Sequence, residues 1–305
     1  MRWRKLGLVY APGGERWWAR SHAFIPTAHL RGDGGLRVYF TGLDEERYGR
    51  VGFVDLDPRD PSRVVYECQE PVLGLGPLGA FDDSGVNASC VVVVDEVPHL
   101  FYIGWQRAVR VPYMLFTGLA RGDRAGESFQ RVQGVPVLDR TADEPFSRSA
   151  PCVVVSDGRW RAWYWSCRYW VDDPALGVRY DNVLRLAESM DGVRWTAHPE
   201  PLLEPEGDDY SLGRPWVIRD ADRYRMWYSI RSRSRPYRIG YAESPDGNSW
   251  VRRDEDVGIA ASATGWDSEM ICFPCVVDVG PRRLMFYNGN GHGRTGFGVA
   301  ELESE

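Results

Sequence analysis

No stretch of the sequence reaches the ~18 consecutive apolar residues that a membrane-spanning helix needs. The opening residues, MRWRKLGLVYAPGGERWW, contain no apolar run long enough for a secretory leader. The expected compartment is the cytoplasm, with no membrane partner. Six cysteines in 305 residues are too few for a disulfide scaffold. Cys68, Cys90, Cys152, Cys167, Cys272 and Cys275 fall mostly inside apolar, strand-like runs and read as buried thiols. Cys272 and Cys275 form a CxxC, but the Phe-Pro between them continues a strand and no second Cys or His pair stands at zinc spacing, so no metal is expected. Basic excess is lacking too. With 37 Lys and Arg against 43 Asp and Glu, the formal charge is −6, which excludes the broad basic surface of a general nucleic-acid binder. There is no GxSxG elbow, no Walker loop and no GxGxxG between a strand and a helix, which leaves no ground for a serine nucleophile, a nucleotide-hydrolysing loop or a cofactor.

What is present is a repeat. A short apolar strand opens near Pro or Ser, a turn rich in Asp and Gly follows, and then an aromatic strand. The pattern begins at Pro26 (PTAHLRGDGGLRVYF), Ser89 (SCVVVVDEVPHLFYIGW), Pro151 (PCVVVSDGRWRAWYWSC), Pro215 (PWVIRDADRYRMWYSIR) and Pro274 (PCVVDVGPRRLMFYNGN). Successive starts lie 63, 62, 64 and 59 residues apart, so five units fill the chain. β-Branched and aromatic residues punctuated by turns signal strands, and no segment sustains a 3.6-residue apolar period. A third strand follows in each unit, as in VLRLAES at 183–189, RIGYAES at 238–244 and GFGVAEL at 296–302. Two of these run into an SxDGxxW element, Ser189 to Trp195 and Ser244 to Trp250. There Asp-Gly supplies a positive-φ turn and the Trp packs back between sheets. The last unit ends without an outer strand, and WRKLGLVYAP near the N-terminus is expected to supply it. The expected fold is all-β: a single five-bladed β-propeller over 1–305, its ring closed by the N-terminal strand joining the last blade.

The blade pattern, with MWYS at 226–229 and IGYAESPDGNSW at 239–250, resembles the five-bladed propeller superfamily of glycoside hydrolases, which includes families 43, 32, 62, 68 and 130. The resemblance covers nearly the whole chain. It implies a pocket at one end of the central axis and a carbohydrate-active enzyme that acts on a glycoside, sugar phosphate or nucleotide-linked sugar by acid/base hydrolysis or transfer. The alternatives are a non-catalytic sugar-binding propeller and a biosynthetic enzyme of another reaction type in the same pocket. Family 43 places its base and a helper Asp just before the Pro of an innermost strand. The matching positions here are Ile25, Ala88, Ala150, Arg214 and Phe273, none of them a carboxylate. Arg59-Asp60-Pro61 and Glu67-Cys68 look like the RDP and EC motifs of family 32, but their position after the third strand VGFVDLD makes them a turn and an outer strand.

In that geometry the mouth is lined just upstream of each innermost strand and just downstream of each second strand. The proton-transfer candidates are Glu269 and Asp83, with Asp267 and His292, because carboxylates beside an imidazole are what proton exchange with a sugar hydroxyl requires. Arg148 and Arg214 are candidates for an anionic group, with Asp208 or Asp209 as alternative partners for Arg214. His22, Asn87, Trp105, Arg231 and Asn290 complete the substrate-binding set. The expected partner is a small carbohydrate, neutral or anionic. Trp163, Trp195, Trp227 and Trp250 recur at blade positions and are expected to pack between sheets, whereas Trp105, Trp165 and Trp170 stand beside the mouth.

Overall fold

The computed structural model describes residues 1–175 and 177–304, and the regular secondary structure among them is nearly all strand. β1 (Arg2–Tyr10) is followed by four groups of four strands and one of three. The first group is β2 (Ser21–Leu30), β3 (Leu36–Leu43), β4 (Gly49–Asp57) and β5 (Asp60–Glu67); the second is β6 (Gly85–Val94), β7 (Val97–Arg107), β8 (Tyr113–Gly122) and β9 (Phe129–Arg131). The third is β10 (Arg148–Ser156), β11 (Arg159–Asp173), β12 (Gly177–Ser189) and β13 (Thr196–Ala197); the fourth is β14 (Asp209–Arg219), β15 (Tyr224–Ser232), β16 (Arg238–Ser244) and β17 (Val251–Arg252). The last is β18 (Cys272–Val279), β19 (Arg282–Asn288) and β20 (Phe297–Ser304), with β1 antiparallel on the free edge of β20, Trp3 opposite Leu302. Each group is an antiparallel meander, and Arg59 to Cys68 forms the turn, outer strand and its end in the first. No helix among the described residues is long and apolar enough to cross a membrane.

The inner strands β2, β6, β10, β14 and β18 pack side by side in cyclic order, β18 returning to β2. Their sequences explain the fit, because small thiols let neighbouring backbones approach. Val153 N–H donates to Cys90 Sγ at 3.3 Å, Val217 N–H to Cys152 Sγ at 3.2 Å, and Ala28 N–H to Cys275 Sγ at 3.1 Å. All six cysteines are free and buried. Between sheets the large aromatics fill the core. Trp163 and Trp227 are fully buried, and Trp163 Nε1 donates to the Gly247 carbonyl of the next group at 2.9 Å. The two SxDGxxW turns are built alike. The Ser hydroxyl accepts the Gly N–H (2.9 Å for Ser189, 2.8 Å for Ser244), and the Trp indole donates back to the Gly carbonyl at 3.0 Å and 2.9 Å.

Candidate functional site

Every inner strand bulges at the point where the repeat begins. Register slips between Phe24 and Thr27, Ala88 and Cys90, Ser149 and Cys152, Gly213 and Trp216, and Cys272 and Cys275. A bulge re-aims one side chain, and here that residue stands just before the Pro. Ile25 (φ 50°), Ala150 (φ 51°), Arg214 (φ 49°) and Phe273 (φ 56°) all take left-handed backbone. For a residue with a Cβ this conformation costs ~1–2 kcal/mol, so the surrounding sheet must enforce it. Among the described residues ten non-glycine residues have positive φ, and seven of them, His22, Ile25, Arg47, Ala150, Arg214, Phe273 and His292, line one cavity. The other three, Asp95, Glu96 and Asp157, sit in hairpin turns. Backbone strain held by a rigid frame concentrates at functional sites.

That cavity holds about 610 Å³. Ile25, Ala150 and Phe273 make an apolar part of its lining, and Trp105, Tyr113, Trp165, Tyr180 and Tyr237 an aromatic part. Its polar groups are His22, Asn87, Asn182, Ser211 and His292, and its charges are Arg47, Arg107, Arg214 and Arg231. Among the described residues no Asp or Glu is in the lining. Tyr180 stacks on Trp165 with ring centres 5.9 Å apart, and Trp170 meets Tyr180 edge-on at 5.4 Å from behind the lining. The Arg231 guanidinium lies over Tyr180 and Tyr237, 5.1 and 4.8 Å from their ring centres.

Several buried polar atoms here have no hydrogen-bond partner among the described residues, where buried polar groups are nearly always satisfied. They are Nε and Nη1 of Arg214, Nε of Arg231 and Oδ1 of Asn182. Burial pushes the Arg214 guanidinium below its usual range, and the only groups opposing that are the thiols of Cys275, Cys152 and Cys90. His22 and His292 are both pushed down to about 4, chiefly by burial, then by Arg47 and Arg294 for His22 and by Arg231 for His292. At those values both imidazoles are neutral at pH 7, with protonation disfavoured until compensating charge arrives. His22 Nδ1 is within hydrogen-bond distance of Ser21 Oγ at 2.9 Å, and its ring stacks on Phe24.

The structure thus brings His22, Asn87, Trp105, Arg214, Arg231 and His292 together, and places Asp83, Arg148, Asp267, Glu269 and Asn290 outside the lining. Asp267 is buried, ion-paired to Lys5 Nζ at 2.6 Å and accepting the Tyr287 hydroxyl at 3.0 Å. The Glu269 side chain is exposed; its backbone N–H donates to Asn290 Oδ1 at 2.8 Å, so the loops expected to face each other do meet, but with the carboxylate turned away. Asp83 accepts Gly79 N–H at 2.9 Å and Ser84 Oγ at 3.0 Å within its own turn. Arg148 is spent on Glu144 (3.0 Å), Tyr164 Oη (3.2 Å) and the Asp139 carbonyl (2.8 Å). Asp208 and Asp209 do not reach Arg214; they bind Ser234 (2.8 Å from its N–H) and Arg238 (2.7 Å). The repeat missed Tyr180 and Asn182, which lie on the β11–β12 hairpin that extends beyond Cys167, and Tyr237, which lies in the loop just before β16.

No family model matches the chain. The uncharacterized protein Rv1502 of Mycobacterium tuberculosis is 40% identical over 306 residues, covering 100% of both chains. The chain belongs to the Rv1502 family. Among solved structures, a glycoside hydrolase superposes on 99% of this member and 92% of its own chain, with TM-score 0.77 and 17% identity. A thermostable family-43 glycoside hydrolase covers 93% of this chain and 91% of its own, at TM-score 0.68 and 16% identity. A third structure, described under the GH130 family of mannoside phosphorylases with glycoside hydrolases that target β-1,2-mannosidic linkages in Candida mannan, covers 98% and 93% at TM-score 0.73 and 15% identity. At these identities the likeness is one of fold: this Rv1502-family chain has the nearly all-β fold of the propeller glycoside hydrolases.

Proposed function

We propose that the chain is one five-bladed propeller domain, closed by β1, and a carbohydrate-active enzyme whose proton chemistry is carried by imidazole instead of paired carboxylates. Five meanders, the cyclic packing of their inner strands and the pairing of β1 with β20 support the architecture. Six reduced, buried thiols suit the cytoplasmic location we assign to it. The observation that carries the functional reading is the convergence of seven residues with left-handed backbone, among them the cavity histidines His22 and His292, on one cavity.

Its aromatic faces suit the C–H faces of a sugar ring, and the orphaned Asn182 Oδ1 and Arg231 Nε suit hydroxyl groups. A retaining or inverting glycosidase needs two carboxylates facing one bond, and the lining offers none. His292 is the base we assign, since burial keeps it neutral and Arg231 nearby disfavours its protonation until a substrate brings compensating charge. We assign His22, which lines the same cavity, the role of sharing that proton.

The missing carboxylates also favour a second reading, a propeller that binds a sugar without transforming it. The test is a panel of glycosides, sugar phosphates and nucleotide-linked sugars, with binding followed by calorimetry and products by NMR, on the wild type and His292→Asn. Turnover of one class, lost in His292→Asn while affinity stays within about threefold, is the expected result. Binding without turnover gives the second reading, and a protein that binds no carbohydrate sinks both.

A further inference from the structure

The five positions at the bulges are equivalent by the repeat, so the chain supplies its own comparison. Ile25, Ala88, Ala150 and Phe273 are apolar, and only the fourth unit has a charge, Arg214. That side chain is 1% exposed and lines the cavity. Its Nη2 donates to Thr27 Oγ1 at 3.1 Å and, at the limit of bonding, to the Pro26 carbonyl at 3.5 Å. The guanidinium lies over the Trp216 ring, 4.9 Å from its centre, and that indole is itself fixed to the Val276 carbonyl at 2.6 Å. Nε and Nη1 have no hydrogen-bond partner among the described residues. The neighbouring inner strands bring it the thiols Cys90, Cys152 and Cys275, and among the described residues no carboxylate pairs with it. A buried cation without a counter-ion is strongly disfavoured unless a partner arrives.

We propose that Arg214 is the docking point for an oxyanion on the ligand, a phosphate monoester or a carboxylate, which makes an acidic sugar the substrate class of this cavity. The proposal rests on the carbohydrate reading above. Three more arginines, Arg47, Arg107 and Arg231, with no acid in the lining, give the cavity a positive field that draws an anion inward. The neutral part of the sugar then lies against the aromatic residues, with its acidic substituent toward the axis. Placing a charge there also explains why an Arg is kept in left-handed backbone where the equivalent residues are apolar.

Calorimetry with glucose, glucose 6-phosphate, glucuronic acid and inorganic phosphate, on the wild type, Arg214→Met and Arg214→Lys, tests this. Methionine keeps the length and the backbone demand of arginine and removes only the charge and donors, so the fold is expected to survive. Removing an unpaired buried charge should leave the melting temperature of the unliganded protein equal or higher. In the wild type, one of the two acidic sugars should bind at least about tenfold more tightly than glucose, and added salt should weaken it. Arg214→Met should bring the acidic-to-neutral ratio to about 1 while glucose affinity changes less than about threefold, with Arg214→Lys between them. Which acidic sugar wins tells phosphate from carboxylate. Equal binding of neutral and acidic sugars by the wild type, or a preference that survives Arg214→Met, overturns the proposal. Inorganic phosphate that binds through Arg214 while no sugar binds would sink the carbohydrate reading and leave the anion site standing.

Discussion

Each unit carries a tyrosine at one place in its second strand, Tyr39, Tyr102, Tyr164, Tyr228 and Tyr287, and in four of them a carboxylate and a cation close on the hydroxyl. Tyr102 donates to Asp82, which Arg131 binds at 2.7 Å. Tyr164 donates to Glu144, paired with Arg148; Tyr228 to Asp254, paired with Arg252; and Tyr287 to Asp267, paired with Lys5, the chain's single lysine. In the first unit the Tyr39 hydroxyl donates instead to the Gly126 carbonyl at 2.8 Å. Acids near the expected mouth thus join a tyrosine to a cation, and Asp267, expected among the proton-transfer groups from its position, stands in such a joint outside the cavity lining. The tyrosines repeat at 63, 62, 64 and 59 residues, the period of the units themselves. That signal was legible. Its partners were not, since Lys5 and Asp267 stand 262 residues apart. Lys5→Met leaves a 2%-exposed carboxylate unpaired and should cost about 3 kcal/mol in urea unfolding. Asp267→Asn should cost less, about 1–2 kcal/mol, and should leave turnover unchanged. A large loss of turnover in a folded Asp267→Asn protein would return that residue to the catalytic set.

At the scale of elements, the strand pattern and the use of the N-terminal segment could be read from the repeat, because an incomplete last unit leaves an edge that some strand has to cover. The bulges could not. A Pro after a strand-like residue suggests extended backbone, and nothing local in Ile25, Ala150 or Phe273 marks a left-handed turn; the conformation is imposed by contacts distant in sequence. Asn288 illustrates the cause. Fully buried, it accepts Ile25 N–H at 2.7 Å and donates to the Ala23 and Gly296 carbonyls at 2.7 and 2.9 Å, joining the last group to the first beside the bulge. β1 ties the last group to the fourth: Trp3 packs edge-on against Trp227 of β15 with ring centres 6.1 Å apart, and Lys5 reaches Asp267 ahead of β18. Deleting residues 1–10 should therefore lower the melting temperature by more than Lys5→Met alone. It should also produce aggregation, because β20 is left as an unpaired edge. A deletion variant that stays monodisperse and melts with the Lys5→Met protein would show that β1 contributes only its lysine.

For the whole molecule, the histidines set a pH window separate from that of the carboxylates. His22, His29 and His292 are each pushed down to about 4, in every case chiefly by burial, with arginines adding to it. In the unfolded chain they titrate near ~6.5. Between those values the unfolded state holds protons that the folded state does not, so stability rises with pH across the window. It is complete above ~6.5 and is lost as pH falls toward 4. His29 lies outside the cavity lining. His29→Gln should flatten the decline in melting temperature between pH 6.5 and 4.5 without altering ligand binding. His22 and His292 respond to the ligand as well. An anion seated among the cavity arginines offsets the positive charges that disfavour their protonation, which raises both pKa values toward the ordinary one. Binding an acidic sugar should then take up protons, and its affinity should increase as pH falls from about 7 to 5. Calorimetry in buffers of different ionisation enthalpy measures that uptake directly. Proton uptake that persists in a folded His22→Asn, His292→Asn double variant would place the titrating group outside the cavity.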